Sequence, residues 1–186
     1  MRFLVRIRTA EIPRGALLRG VKTIALALGV DPRNPKWTSY GALELDIFSP
    51  TKADFELFVT AVEPLAEFEF AKDLSAAPAY KPEEELYAEA RELFNAERYW
   101  ECHEVLEGIW RSKSGDQKRV LQGVILVCAA FVHHQKGEPD IALGVLRRSV
   151  PLLGHQSATL GGFDLARLRG EVQRVIDTGR FVVLKA

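Results

Sequence analysis

Hydrophobic and polar residues alternate in the first part of the chain. Phe3, Val5 and Ile7 alternate with Arg2, Arg6 and Arg8. This period of two is typical of a half-buried strand. Alternation returns at Ala42–Phe48 and at Glu67–Phe70, and the stretches 13–28 and 51–63 have helical periodicity. This order, β-α-(β)β-α-β, predicts a small ferredoxin-like sandwich.

The second strand of this pattern has little support in the sequence. Asp31–Pro35 contains two prolines, which favours a loop. We therefore place a short strand at Lys36–Ser39, followed by a turn at Tyr40 and Gly41.

Helical periodicity dominates after residue 82. Pro82 followed by three glutamates is typical of a helix start, and further helices are predicted from about Tyr99, Asp116, Pro139 and Phe163. The third of these five helices is apolar on nearly every side between residues 120 and 132, which places it in the middle of a bundle.

These patterns together predict an α+β protein with two domains. A ferredoxin-like α+β domain is expected at residues 1–74, a linker at 75–82, and an all-α bundle of about five helices at 83–186. Residues 181–184 are β-like, and they form a candidate C-terminal strand that could pair with the edge of the first sheet.

Composition and charge narrow the candidate partners. The 186 residues carry 25 basic and 25 acidic side chains, a formal net charge of zero that argues against nucleic acid as a partner. The longest apolar run, Val124–Val132, is too short to span a bilayer, and the amino terminus lacks the apolar core of a signal peptide. Two cysteines within apolar helical patterns indicate reduced thiols. We expect a cytoplasmic protein without a membrane partner. The sequence leaves open whether the protein forms homo-oligomers.

The stretch Trp100–Arg111 is the most informative for function. It contains three glutamates, a histidine, two tryptophans and an arginine in an otherwise apolar region. On a helix, Glu107 and Trp110 lie within about 40° of His103, and Arg111 lies four residues beyond Glu107, at pairing distance. Glu104 lies further round the same side.

The next predicted helix carries a matching set of residues. Gln122, Leu126, Ala129 and His133 share one side of it. Because buried polar side chains need hydrogen-bond partners, we expect Gln122 and His133 to face His103 and Glu107. This arrangement predicts a polar pocket between the two helices.

Three uses of this pocket remain open. His103 and Glu107 could act in catalysis, with Glu107 orienting the ring of a general base, while the remaining candidates contact a small ligand: Trp110, Glu104, Arg111, Gln122 and His133. Alternatively, His103, Glu107 and His133 could hold a divalent metal ion, with water in its open positions. In the third use the cluster is a structural polar network.

The alternative to a ligand-binding or hydrolytic protein is a non-catalytic interaction module. The sequence therefore leaves open whether the protein is an enzyme. In this alternative the N-terminal sheet binds a protein or RNA partner, since Arg2, Arg6 and Arg8 could give one sheet face a basic surface.

Several spaced motifs resemble domain-of-unknown-function family 309 over roughly residues 85–153. The motifs are Phe94-Asn95, the segment from Tyr99 to Trp110 with the HxxxExxW pattern at His103, Glu107 and Trp110, then Leu121-Gln122-Gly123 and Ala129-Ala130. The resemblance implies an all-helical fold for the second half and a shared pocket around His103, without an assigned activity. Leu126 departs from the family, in which a polar residue, often glutamine, is expected.

Overall fold

The computed structural model describes residues 1–75, 80–154 and 159–186. The chain divides into two compact units, Met1–Ala79 and Tyr80–Ala186, which are described separately. Half of the linker predicted at 75–82, residues 76–79, lies outside the described residues.

The first unit has the predicted ferredoxin-like topology. Its four strands form an antiparallel sheet in the order β2-β3-β1-β4, and its helices follow the first and third strands. The elements are β1 (Arg2–Arg8), α1 (Arg14–Ala27), β2 (Asp31–Trp37), β3 (Leu43–Phe48), α2 (Lys52–Val62) and β4 (Glu67–Asp73).

The alternation in β1 places one set of its side chains in the core of this unit. Phe3, Val5 and Ile7 are buried in one cluster with apolar residues of α1 and α2, and the Phe3 ring stacks on Phe55 with centroids 3.7 Å apart. Helix α2 begins with a capping box, in which the side chain of Thr51 and that of Asp54 satisfy each other's backbone amides.

The prediction of a loop at residues 31–35 was wrong, because β2 already begins at Asp31. Among the described residues this strand lies at the edge of the sheet and pairs with β3 alone, so its two prolines interrupt no ladder there on the outer side. The ladder is irregular between Arg33 and Lys36, where Asn34 has a positive φ of 52°.

The prediction of a basic sheet face was also wrong, because the cations on this face are paired with carboxylates. Arg6 and Lys36 contact the two oxygens of Glu44 at 2.8 and 2.6 Å, and Arg2 contacts Asp46 at 3.1 Å. The sheet therefore gives no support to the RNA-binding alternative, which depended on unneutralised arginines.

The second unit is helical, as predicted. It contains five helices among the described residues and a short two-stranded hairpin, β5–β6, directly before the last helix. The elements are α3 (Glu83–Asn95), α4 (Tyr99–Arg111), α5 (Gly115–Gln135), α6 (Pro139–Ser149), β5 (Thr159–Leu160), β6 (Phe163–Asp164) and α7 (Leu165–Thr178). Within the described ranges, no helix combines the length and apolarity needed to cross a bilayer.

The candidate strand at 181–184 is not formed, and these residues pack on the second unit instead. The Phe181 ring stacks on His134 with centroids 4.0 Å apart, and Leu184 is fully buried. Lys185 and Ala186 both donate hydrogen bonds to Asn95, each at 2.9 Å. Val182 and Val183 are exposed, so the apolar residues of this segment do not alternate as in a strand.

The turn of the β5–β6 hairpin depends on glycine. Gly161 and Gly162 both have positive φ, 54° and 85°, as a tight hairpin turn requires. A Cβ on Gly161 would also overlap the ring of Tyr87 in α3, and Arg91 donates a hydrogen bond to the Gly161 carbonyl at 2.9 Å. The turn is thus fitted closely to α3.

We expect Gly161→Ala to lower the free energy of unfolding by several kcal/mol, because it combines backbone strain with overpacking. Gly179→Ala is the matched control, since Gly179 also has a positive φ, 67°, but a Cβ there meets nothing within 4 Å. The control should lose only about 1–2 kcal/mol. Urea unfolding of both variants measures the difference, and equal losses would contradict this account of the turn.

Stability should fall in mild acid because of His134. Burial against the core lowers the pKa of His134, and the nearby Glu97 only partly opposes this. The unfolded chain, with a histidine pKa of about 6.5, then binds the proton more readily. The neutral His134 ring therefore contributes in full to the free energy of unfolding above about pH 6.5. This contribution is lost as the pH falls from there through the lower pKa that His134 has in the folded protein.

His134→Phe should retain the stack on Phe181 and lose this pH dependence. We expect the urea concentration at the midpoint of unfolding to change less in the variant than in the wild type between about pH 7.5 and about pH 5. Midpoints that shift equally in both proteins would show that His134 does not contribute.

Candidate functional site

Helix α4 buries one stripe and leaves the candidate residues at its margin. Tyr99, Cys102, Leu106 and Ile109 recur at helical spacing and are buried in the core of the second unit. His103 follows Cys102 directly, so its ring lies at the boundary between this stripe and solvent.

His103 lies between two carboxylates. Its Nε2 is 3.7 Å from Oε1 of Glu107, and its Nδ1 is 3.5 Å from Oε1 of Glu104. One ligand atom from each of these three residues lies within 4.8 Å of the other two. Arg111 approaches the second oxygen of Glu107 at 3.7 Å, which confirms the predicted pairing along the helix.

The two ring nitrogens of His103 differ in access. The His103 side chain is 24% exposed, yet Nδ1 is buried and has no hydrogen-bond partner among the described residues. The contact with Glu104 is within ion-pair range, but its geometry is not that of a hydrogen bond. Nε2, on the side of Glu107, is therefore the nitrogen available to a ligand.

Trp110 packs against the core and does not line an open pocket. Its ring contacts the buried cluster, and the Lys118 ammonium lies 4.0 Å from the ring centroid. The indole Nε1 is buried without a hydrogen-bond partner within the described part of the chain. The contact with Lys118 was not predicted, because it depends on how α5 folds back beside α4.

His133 does not join the cluster. Its Nδ1 lies 2.6 Å from Oε2 of Glu138, at the turn into α6. The contacts Cys102–Cys128 and Trp110–Lys118 show that α4 and α5 run antiparallel. His133 is five residues beyond Cys128, about 7.5 Å further along α5 and away from the level of His103.

Gln122 lies at about the level of Glu107, but it does not complete a polar network. It is half-buried, and no hydrogen bond joins it to His103, Glu104 or Glu107 in the described ranges. The expected partnership between Gln122, His133 and the α4 cluster is therefore not present.

The expected polar pocket between α4 and α5 is instead an open patch, which we call the α4 patch: His103, Glu104, Glu107 and Arg111. Three cavities lined by described residues of the second unit have volumes of about 580, 460 and 360 Å³, and the α4 patch lines none of these three. The groups are accessible from solvent, so a ligand could approach without opening the bundle.

Comparison with known proteins places this patch within a described family. The family model "Domain of unknown function (DUF309)" matches residues 87–145. An uncharacterized protein of Aquifex aeolicus (strain VF5) is 25% identical over 97 residues, which are 52% of this chain and 29% of that protein. The chain therefore matches less than a third of the length of this curated relative.

A solved structure is also similar to part of the chain. The crystal structure of a conserved hypothetical protein from Thermus thermophilus, TTHA0068, shares 35% sequence identity, covering 53% of this chain and all of that one, with a TM-score of 0.44.

The α4 patch should contribute little to stability. Glu107 is 39% exposed and Arg111 is 74% exposed, so we expect Glu107→Ala to cost less than about 1 kcal/mol. Glu101→Ala is the contrasting variant, because the Glu101 side chain is only 4% exposed and its carboxylate accepts two hydrogen bonds from Arg98 at 2.6 and 2.7 Å.

Glu101→Ala should cost about 3 kcal/mol, since it removes one partner of a buried ion pair. Chemical unfolding of the two variants tests this contrast. If Glu107→Ala lowers the free energy of unfolding by several kcal/mol, the α4 patch has a structural role.

Proposed function

The chain belongs, through its second unit, to the family of domain of unknown function 309, and from this premise we propose that the α4 patch binds a divalent transition metal ion. Nε2 of His103 and the carboxylate of Glu107 are the protein ligands, and Glu104 positions the ring. The observation that supports this function is the 3.7 Å contact between Nε2 of His103 and a carboxylate oxygen of Glu107, with an oxygen of Glu104 3.5 Å from the other ring nitrogen.

The contact between His103 and Glu107 favours a cation. If Nδ1 carries the ring proton, Nε2 presents a lone pair to a carboxylate oxygen 3.7 Å away. A metal about 2.1 Å from each atom in tetrahedral geometry places the two ligand atoms roughly 3.4 Å apart. Only a few tenths of an ångström separate the observed distance from this value.

Glu104 supports the same assignment from the other side of the ring. Metal-binding histidines usually donate their second N–H to a carboxylate or carbonyl, which fixes the tautomer. Oε1 of Glu104 is 3.5 Å from Nδ1, which has no other partner among the described residues. A small rotation of the exposed Glu104 side chain would complete that hydrogen bond and leave Nε2 for the metal.

The chemistry that follows is binding of a small ligand or hydrolysis. An ion with two protein ligands keeps several positions for water or for an oxygen of a substrate. If His103 and Glu107 hold such an ion, it would supply Lewis-acid activation of a water molecule for hydrolysis near neutral pH. A small molecule with a carboxylate or phosphate oxygen fits such an open, solvent-facing site.

Metal titration of chelator-treated protein tests the proposal. We expect one Zn²⁺ or Co²⁺ ion per chain by calorimetry, with affinity reduced at least about tenfold in His103→Ala and in Glu107→Gln. Arg111→Gln should strengthen binding, because Arg111 competes with the metal for Glu107. Melting curves confirm that each variant is folded.

His133→Ala is the matched control. His133 is also half-exposed and paired with a glutamate, but it lies outside the α4 patch. The control should bind the metal as the wild type does. Equal binding by His103→Ala and the wild type, or equal losses in His103→Ala and the control, would contradict the proposal.

A further inference from the structure

The two cysteines of the chain meet inside the second unit. Cys102 on α4 and Cys128 on α5 have their Sγ atoms 3.4 Å apart, and both side chains are fully buried. The chain has no other cysteine. A disulfide within one chain can therefore form only between these two residues.

We propose that Cys102 and Cys128 are a modification site, at which a small peroxide oxidises the two thiols to a disulfide that links α4 to α5. A disulfide has an S–S distance of about 2.05 Å, so the sulfurs must approach by roughly 1.4 Å. Rotation of the two side chains and a slight approach of the helices can supply this movement.

Oxidation by hydrogen peroxide proceeds in two balanced steps. The sulfur of one cysteine attacks the peroxide, the O–O bond breaks, and a sulfenic acid and one water form. The sulfur of the second cysteine then attacks the sulfenic sulfur, which releases the second water and forms the S–S bond. Two thiols thus give up two electrons to one peroxide, and their protons end on the two water molecules.

The burial of both sulfurs favours a small oxidant, and their proximity favours a disulfide as the product. A bulky disulfide reagent would have to form a mixed disulfide in a core that has no exposed surface at either sulfur. Hydrogen peroxide is close to water in size. The neighbouring thiol at 3.4 Å captures the sulfenic acid before a second peroxide reaches it.

The reaction should be slow because both sulfurs are fully buried. A peroxide molecule must enter the core before it can react, so we expect oxidation to be at least about tenfold slower than that of an exposed cysteine.

The linkage should stabilise the second unit. It closes a loop between residues 26 positions apart, and closing a loop of this length restricts the unfolded chain. We therefore expect the oxidised protein to melt at least about 5 °C higher than the reduced protein.

The experiment treats the whole chain with hydrogen peroxide and follows the intact mass, the thiol count in denaturant and the melting temperature. We expect a loss of about 2 Da, no remaining thiols, and a peptide linking Cys102 to Cys128 in a non-reducing digest. Dithiothreitol should restore both the mass and the original melting temperature.

Other outcomes would overturn the proposal. These are two intact thiols after prolonged treatment, mass gains of about 32 or 48 Da that indicate over-oxidised sulfur, or a cross-linked dimer. A gain of about 16 Da with both thiols intact would locate the oxidation at Met1, the single methionine, and would equally exclude the disulfide.

Cys128→Ala supplies the control for the change in melting temperature. This variant cannot form the link, so peroxide should not raise its melting temperature. If the variant does not fold, the mass and the linked peptide of the wild type still decide the question, because no second pair of cysteines exists.

Discussion

The packing of α4 against α5 is the constraint on which the second unit depends. Helix α5 is buried on several sides, and α4 covers it with a stripe that includes Cys102, Leu106 and Ile109. Burying Leu106 and Ile109 contributes roughly 1.5–3 kcal/mol for each side chain. This stripe fixes the rotation of α4, and it thereby holds His103 and Glu107 at the boundary with solvent, where a ligand can reach them.

The same packing separates the roles of the polar residues on α4. Glu101 lies where its carboxylate is buried and held by Arg98, so it belongs to the structure of the bundle. Glu104 and Glu107 lie on the exposed side, at longer distances from their partners. The exposed groups contribute little to stability, which leaves them free to serve binding.

The sequence was sufficient to predict which residues share a side of α4, but not which residues face them from α5. Helical periodicity gives the angle of a side chain around its own axis, and the adjacency of His103 and Glu107 follows from it. The relative level of two helices depends on the loop between them, here residues 112–114. Counting from that loop would have placed His133 beyond His103, beside the turn that holds Glu138.

The first unit shows a similar limit. Its topology could be predicted from alternation, yet the partners of Arg6 and Lys36 required the pairing of three strands. Glu44 and Asp46 alternate in β3 with apolar residues and supply the neutralising charge on the same face as Arg6. The prolines of β2 were misinterpreted because a single sequence does not show that the strand lies at an edge.

Nitrogen NMR of the four histidine side chains during Zn²⁺ titration tests the proposed site most directly. The account predicts that the Nε2 resonance of His103 shifts as the metal binds while its Nδ1 stays protonated, and that His133 and His134 do not change. Zinc that leaves His103 unchanged, or that binds through Nδ1 of His103 or through another histidine, would contradict the proposed metal site.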